Sequence, residues 1–365
     1  MKRALTLLVC LALLAIPTAA QAESVPAEAA ILVEAHSGRV LIEQNADTRL
    51  EMASTTKIMT ALLAVESGRL DETVTVPRAA VGTEGSSMYL KEGETLRLSD
   101  LIYGLILTSG NDAAVAIACI LDGDTARFVE RMNRKAAELG LSDTQFKNPN
   151  GLHDPGHYTS ARDLAALAAA AMRNETFSMI VRTQYHRTEG SNPRTLKNKN
   201  RLLWEYEGGV GIKTGYTKAA GKCLVFAAER GNMLLIGVVL NCPTMWNTAK
   251  AMLDKGFSAY RARLFLDERT VFSLPLQNGV KKTLSAAPIS AILYPTETDG
   301  NETFEVRTAF STDLTAPIYI GTAVGTATLY RNDEAVLTVP IAAAETVRKT
   351  GFSYFFRKAA LDFVG

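Results

Sequence analysis

Hydrophobic and polar positions fall into distinct rhythms along this chain, and each rhythm predicts a different element. A-I-L-V-E-A and R-V-L-I-E-Q flank H-S-G, which predicts a β-hairpin over 29–45 turning at Gly38. Ile58, Met59, Leu62, Leu63 and Val65 recur at helical spacing and stop at Gly68, predicting a helix over 54–66. Residues 99–121 open on Ser99-Asp100, which reads as a capping pair. They continue as two apolar helices broken at Ser109-Gly110-Asn111. Residues 124–139 and 160–173 are further helical patterns.

The rhythm then changes. Residues 208–217, 222–230 and 233–240 are strand-like, and Gly231-Asn232 predicts a tight turn that pairs the last two antiparallel. Residues 246–262 read as helix. The hairpin and the 208–240 strands are predicted to share one sheet, with helices against it. Beyond about 265, short runs such as T-V-F-S-L-P-L, A-I-L-Y-P, F-E-V-R-T, T-A-T-L-Y-R and A-V-L-T-V-P-I alternate with turn residues, predicting a small all-β domain.

Composition adds limits. The 365 residues leave room for more than one domain, and 47% hydrophobic with 21% charged residues is an ordinary globular balance. A net charge of +1 gives no support for nucleic-acid binding. Lys2 and Arg3, the apolar run from Ala4 to Ile16, Pro17 and Ala20-Gln21-Ala22 predict an export signal over 1–22. The run is too short for a confident membrane span. An uncleaved anchor, or a lipoprotein modified at Cys10, fits less well, because the small-residue site favours cleavage and Cys10 lies inside the apolar run behind Val9. The mature chain is therefore expected at the outer face of the cytoplasmic membrane, in the periplasm or cell-wall space. Loss of Lys2 and Arg3 takes its formal charge from +1 to −1. Cys119, Cys223 and Cys242 remain. Three allow at most one disulfide, and their apolar surroundings favour buried thiols. The expected division is 1–22 signal, 23–264 first domain, 265–345 β-rich domain and 346–365 an amphipathic tail.

Three short motifs carry the chemistry. Ser54-Thr55-Thr56-Lys57 places Ser54 and Lys57 on one helical face. A serine hydroxyl needs a base to become a nucleophile. Lysine serves as that base only when burial or other cations disfavour its ammonium form. Moving it from about 10.4 to about 7 takes about 5 kcal/mol of environmental bias. Alone, the motif is as well explained by a capping serine and a solvated lysine. Ser109-Gly110-Asn111, at a helix break, presents a hydroxyl and an amide, though these are also ordinary turn residues. Lys213-Thr214-Gly215 lies on a strand. Lys213 offers a charge for an anion and a means to depress Lys57, and Gly215 allows close approach of a substrate to the backbone. His153 and His157, in H-D-P-G-H, lack the helical spacing of a zinc site, so no metal is expected.

In that order and in those contexts, S-x-x-K, S-x-N and K-T-G form the set described for penicillin-binding proteins and serine β-lactamases. Over roughly residues 23–345 the chain resembles the low-molecular-mass penicillin-binding proteins that are D-alanyl-D-alanine carboxypeptidases. L-K-E-G-E (90–94), L-T-S-G-N-D-A (107–113), N-P-N-G-L-H-D-P-G-H-Y-T-S-A-R-D-L-A (148–165) and N-K-N-R-L-L before G-V-G-I-K-T-G-Y-T extend the likeness. The resemblance implies an α/β (α+β) DD-peptidase domain, an antiparallel sheet flanked by helices with a helical subdomain, followed by a small all-β domain. It implies that Ser54 attacks the carbonyl of the penultimate D-alanine and that neutral Lys57 takes its proton. Ser109 would relay a proton to the leaving amine, and Asn111 would hold the substrate amide. Lys213 and Thr214 would bind the terminal carboxylate. The N–H groups of Ser54 and Tyr216, the latter following Gly215, would form an oxyanion hole.

No cofactor is implied. The partners implied are stem peptides ending in D-Ala-D-Ala, β-lactams as covalent inhibitors and a membrane surface met by the C-terminal segment, with a monomer as the default. Two departures stand out. Tyr216 occupies a position where some relatives carry histidine, and N-C-P-T-M (241–245) lacks the arginine that some place there. A β-lactamase fits less well, because 148–175 holds no convincing E-x-x-x-N and the middle motif is S-G-N. A catalytically weak peptidoglycan-binding scaffold is the other alternative, and the intact motif set argues against it.

Overall fold

The computed structural model describes residues 24–351. The expected signal over 1–22 and most of the amphipathic tail lie outside the described residues. The chain opens with strands β1 (Ala29–Glu34) and β2 (Val40–Gln44), then a 3-10 turn over Ala53–Thr56 that runs into α1 (Lys57–Glu66). A small hairpin, β3 (Thr73–Thr75) with β4 (Thr95–Arg97), brackets a long irregular loop and leads into α2 (Leu98–Leu107), α3 (Asn111–Asp122) and α4 (Thr125–Glu138). Helices α5 (Ala161–Met172) and α6 (Glu175–Arg182) follow. A second hairpin joins β5 (Tyr185–Arg187) to β6 (Thr195–Lys197), and the one-turn α7 (Leu202–Glu205) comes next. Strands β7 (Gly209–Thr217), β8 (Gly221–Arg230) and β9 (Met233–Leu240) and helix α8 (Met245–Ala259) complete this half.

The hairpin at the start and the three later strands do share one antiparallel sheet, in the order β2-β1-β9-β8-β7. β9 is buried along its whole length because both faces of the sheet are covered. The period of two sorts its neighbours. Ile31, Val33, Val225 and Ala227 face the core shared with α1, α2, α3 and α5, while Ala30, Leu32, Leu224 and Phe226 face α8. β7 forms one edge, so one side of its backbone is left unpaired by the sheet, next to the 3-10 turn.

The second half is all-β. A five-stranded sheet runs β11 (Phe272–Pro275), β12 (Thr283–Pro288), β16 (Glu334–Ala343), β15 (Ala323–Arg331), β14 (Phe304–Phe310), and β10 (Tyr260–Leu266) pairs with β13 (Ile292–Glu297). The helix expected over 246–262 ends at Ala259. From Tyr260 the chain pairs with β13, and Tyr260 lies under the Arg39 guanidinium. Arg39, on the β1–β2 hairpin, also donates to both Glu302 oxygens at 2.9 and 2.7 Å and to the Pro295 carbonyl at 2.7 Å, tying the halves together. Ser99-Asp100 is not a capping pair: the α2 N-terminus has no side-chain cap, and Asp100 instead accepts from His186 Nε2 at 2.6 Å and the Glu189 N–H at 3.0 Å. Cys119, Cys223 and Cys242 are free thiols, the last two buried. Among the described residues no helix is long and apolar enough to cross a membrane.

Candidate active site

Ser54 sits in the 3-10 turn rather than at a capping position, and its side chain caps nothing. The turn is held from several sides. Thr55 Oγ1 donates to the Met52 carbonyl at 2.6 Å and Thr56 Oγ1 to the Ala53 carbonyl at 2.8 Å. His157, buried, meets Thr56 Oγ1 through Nε2 at 2.7 Å while its Nδ1 accepts from the Lys147 N–H at 3.0 Å. With Nδ1 accepting, the ring hydrogen lies on Nε2, which donates to Thr56. Burial pushes the His157 pKa down to about 4, so the ring is neutral. His153 turns elsewhere, to Glu51.

Lys57 lies wholly buried one helical turn behind the partly exposed Ser54. Its Nζ is 2.9 Å from Ser54 Oγ, 2.7 Å from Asn111 Oδ1 and 2.5 Å from the Asn150 carbonyl, so all three partners are neutral. Burial first, then the nearby Lys213 and Lys199, hold its pKa well below the usual lysine range, against an opposing pull from Asp112. The Asn150 carbonyl is aimed by its own loop: Asn148 Oδ1 accepts from the N–H groups of Asn150, Gly151 and Leu152. Gly151 has φ +84°, and a Cβ there would fall 2.0 Å from the Ala53 carbonyl oxygen. Only glycine lets this loop close on the Ser54 turn.

The helix break delivers the other two groups. Ser109, at φ +63° between α2 and α3, accepts from Lys213 Nζ at 3.0 Å. Asn111 opens α3 and places its side-chain oxygen on Lys57. Lys213 reaches Ser109 from β7 and also donates to the Thr214 carbonyl at 3.0 Å. Burial, with Lys199 adding to it, brings the Lys213 pKa down to about 7. Along β7 the side chains alternate: Lys213 and Gly215 are buried, Thr214 is half-buried and Tyr216 is 65% exposed. Gly215 departs from expectation. A Cβ there would lie 3.1 Å from Ala53 Cβ, the Met52 carbonyl oxygen and Ser54 N, so its missing side chain makes room for the Ser54 turn rather than for a ligand.

Two hydrogen-bonded groups, Ser54–Lys57–Asn111 and Ser109–Lys213, thus come together through the Ser109-Gly110-Asn111 break, with Gly215 against the Ser54 turn and Thr214 and Tyr216 on the strand beside it. Sequence reasoning passed over Asn150, whose contribution is a backbone carbonyl. It also passed over Asp112, visible only as the residue after S-G-N, and over Lys199.

A buried lysine behind a serine, supported by a second serine, an asparagine and a strand lysine, defines a serine acyl-transfer hydrolase. The comparisons make this specific. Residues 16–244 match the family model for D-alanyl-D-alanine carboxypeptidase, and residues 261–349 match that for the penicillin-binding protein 5 C-terminal domain. The chain is 35% identical to the D-alanyl-D-alanine carboxypeptidase DacF of Bacillus subtilis over 350 residues, covering 92% of this chain and 90% of that one. It is 34% identical to DacC of Escherichia coli, covering 91% and 87%. Among solved structures it is similar to penicillin-binding protein 5 of Haemophilus influenzae, with a TM-score of 0.73, 28% identity and 89% of this chain against 98% of that one. The chain belongs to the D-alanyl-D-alanine carboxypeptidase family, as a serine-type enzyme of the penicillin-binding protein 5 type.

Proposed function

We propose that this chain removes the terminal D-alanine from peptidoglycan stem peptides through an acyl-enzyme on Ser54. The observation that carries the reading is the setting of Lys57: buried, 2.9 Å from Ser54 Oγ, with only neutral partners and a second lysine nearby. That setting disfavours the charged form of the amine and so suits it to act as a base. Lys57 takes the Ser54 proton as Oγ attacks the carbonyl carbon of the penultimate residue. Charge developing on the carbonyl oxygen is met by the N–H groups of Ser54 and Tyr216, which the contact of Gly215 with the Ser54 turn brings near each other. Asn111 holds the substrate amide. Ser109, bonded to Lys213, passes a proton to the leaving nitrogen. Lys213 and Thr214 bind the terminal carboxylate, and that anion favours the charged form of a lysine whose pKa burial has brought to about 7. After D-alanine departs, water releases the shortened peptide. A β-lactam enters the same path through its ring amide, but its leaving nitrogen stays tethered.

The export signal and the amphipathic tail support a place outside the cytoplasmic membrane with the tail resting on anionic lipid. Deleting 350–365 is expected to move the enzyme from the membrane to the soluble fraction, and unchanged fractionation rejects the tail's role. The nucleophile is tested by intact mass after exposure to benzylpenicillin, alongside D-alanine release from an acyl-D-Ala-D-Ala peptide. One adduct on the wild type, with Ser54→Ala free of adduct and of activity, is expected. An adduct kept by Ser54→Ala overturns the assignment.

A further inference from the structure

We infer that Asp112 is a positioning residue for acylation: it gathers the 84–90 loop so that the Glu84 carbonyl holds the Asn111 amide and keeps the Asn111 oxygen on Lys57. The inference rests on the reading of Ser54, Lys57 and Asn111 given above. Asp112 is 1% exposed, directly after Asn111 on α3. Its Oδ1 accepts from the N–H groups of Met88 at 3.0 Å and Ala113 at 2.9 Å. Its Oδ2 accepts from Ser87 Oγ at 2.6 Å and from the Leu90 N–H at 3.0 Å. Residues 84–90 form no helix or strand, so this carboxylate supplies the hydrogen bonds a ladder would otherwise provide.

The loop in turn closes on Asn111. The Asn111 N–H donates to the Ser86 carbonyl at 2.6 Å, and its Nδ2 donates to the Glu84 carbonyl. Gly85, at φ +92°, lies so near that a Cβ would fall 2.7 Å from Nδ2. With Nδ2 committed to a carbonyl, Oδ1 is the end that faces Lys57 Nζ. A flipped amide would set oxygen against oxygen at Glu84 and donor against donor at Lys57.

Asp112 also carries charge into the site. Around Lys57, Ser54, Asn111 and the Asn150 carbonyl are neutral, as is His157, while Lys213 and Lys199 lower its proton affinity. Asp112 is the group that raises it. Asparagine cannot replace it, because every donor converges on acceptor oxygens and an amide nitrogen would face one pair of them.

The test follows acylation of the full chain by a fluorescent penicillin from pH 5 to 9, for wild type, Asp112→Asn and Glu94→Gln. Glu94 secures the far end of the same loop by its buried pair with Arg194. Asp112→Asn is expected to acylate about 10²-fold more slowly, the order of loss a misplaced reacting group produces. Its acid limb should move to lower pH, because Lys57 then loses its proton more readily. Glu94→Gln should slow the reaction without moving the limb. If Asp112→Asn does not fold, Ser87→Ala, which removes one donor to Oδ2, should still slow acylation several-fold. A wild type that takes no label removes the site reading itself. A wild type that labels while a folded Asp112→Asn keeps its rate, or slows with an unmoved limb, or while Ser87→Ala is unaffected, overturns the role of Asp112 alone.

Discussion

The two halves of this molecule bury very different things. In the β-rich half, Leu284, Ala286, Ile292, Ala327, Leu329 and Ile341 are fully enclosed, and among the described residues from 260 onward Thr296 is the one polar side chain counted as buried. The first half encloses apolar side chains as well, but also Lys57, Lys213, Asp112, Asn111, Asn150 and His157. Burying a polar group is unfavourable unless partners are supplied, and burying a charge far more so. A module that has only to fold avoids the problem. Where it is accepted, and answered with short hydrogen bonds to Ser54, Asn111, Asn150 and Ser109, the unfavourable burial is itself the device on which the proposed mechanism draws: it disfavours the charged form of Lys57.

This contrast can be broken at its strongest point by Lys57→Met, which keeps the volume and removes the amine. Acylation and D-alanine release are expected to fall by about 10²–10⁴-fold, the usual contribution of a positioned base. The melting temperature should change little, because relief of a desolvated amine is offset by the Asn111 and Asn150 acceptors left without a donor. A marked drop in melting temperature would mean that Lys57 is held for the fold. In the other half, Leu329→Ala should cost the β-rich module about 2–5 kcal/mol, read by hydrogen exchange in β15 and β16, and leave penicillin acylation of Ser54 unchanged. A parallel loss of acylation would show that the halves are one energetic unit.

The smallest expected effect concerns His157. Its folded value of about 4 lies below the ordinary 6.5, so the unfolded chain binds the proton first. Its contribution to stability is therefore complete above pH 6.5 and is lost as pH falls towards 4. The full loss is about 3 kcal/mol. Urea unfolding at pH 7, 5 and 4 should show this decline in the wild type and a flatter one in His157→Gln. Equal declines in both would remove His157 from the account.

Much of this was legible in the chain. Periodicity marked the strands of the first sheet and the helices α1 to α5, because each keeps a single rhythm over many residues. The three motifs marked the cluster because Ser54, Lys57, Ser109, Asn111 and Lys213 meet through their side chains. What escaped acts through backbone or through partners distant in sequence. The Asn150 carbonyl carries no side-chain signature. Asp100 looked like a cap because its true partners, His186 and Glu189, lie more than 80 residues away. Residues 260–262 read as the end of a helix because the strand that claims them, Ile292–Glu297, comes later. Gly215 was placed correctly, but what fills the space beside it depends on a turn some 160 residues earlier.

That last contact bears on how such a site could be transplanted. Ser54 is gripped between two glycines: Gly151, from a loop, leaves no room for an added carbon, and Gly215, from the sheet edge, would hold one only if the Ser54 turn shifted by a few tenths of an ångström. A designer who grafts only the clustered side chains onto a new scaffold would leave the Ser54 backbone unsupported. The transferable unit is a serine turn together with the two glycine walls that fit it, and a scaffold able to host this reaction must first supply two backbones that come that close.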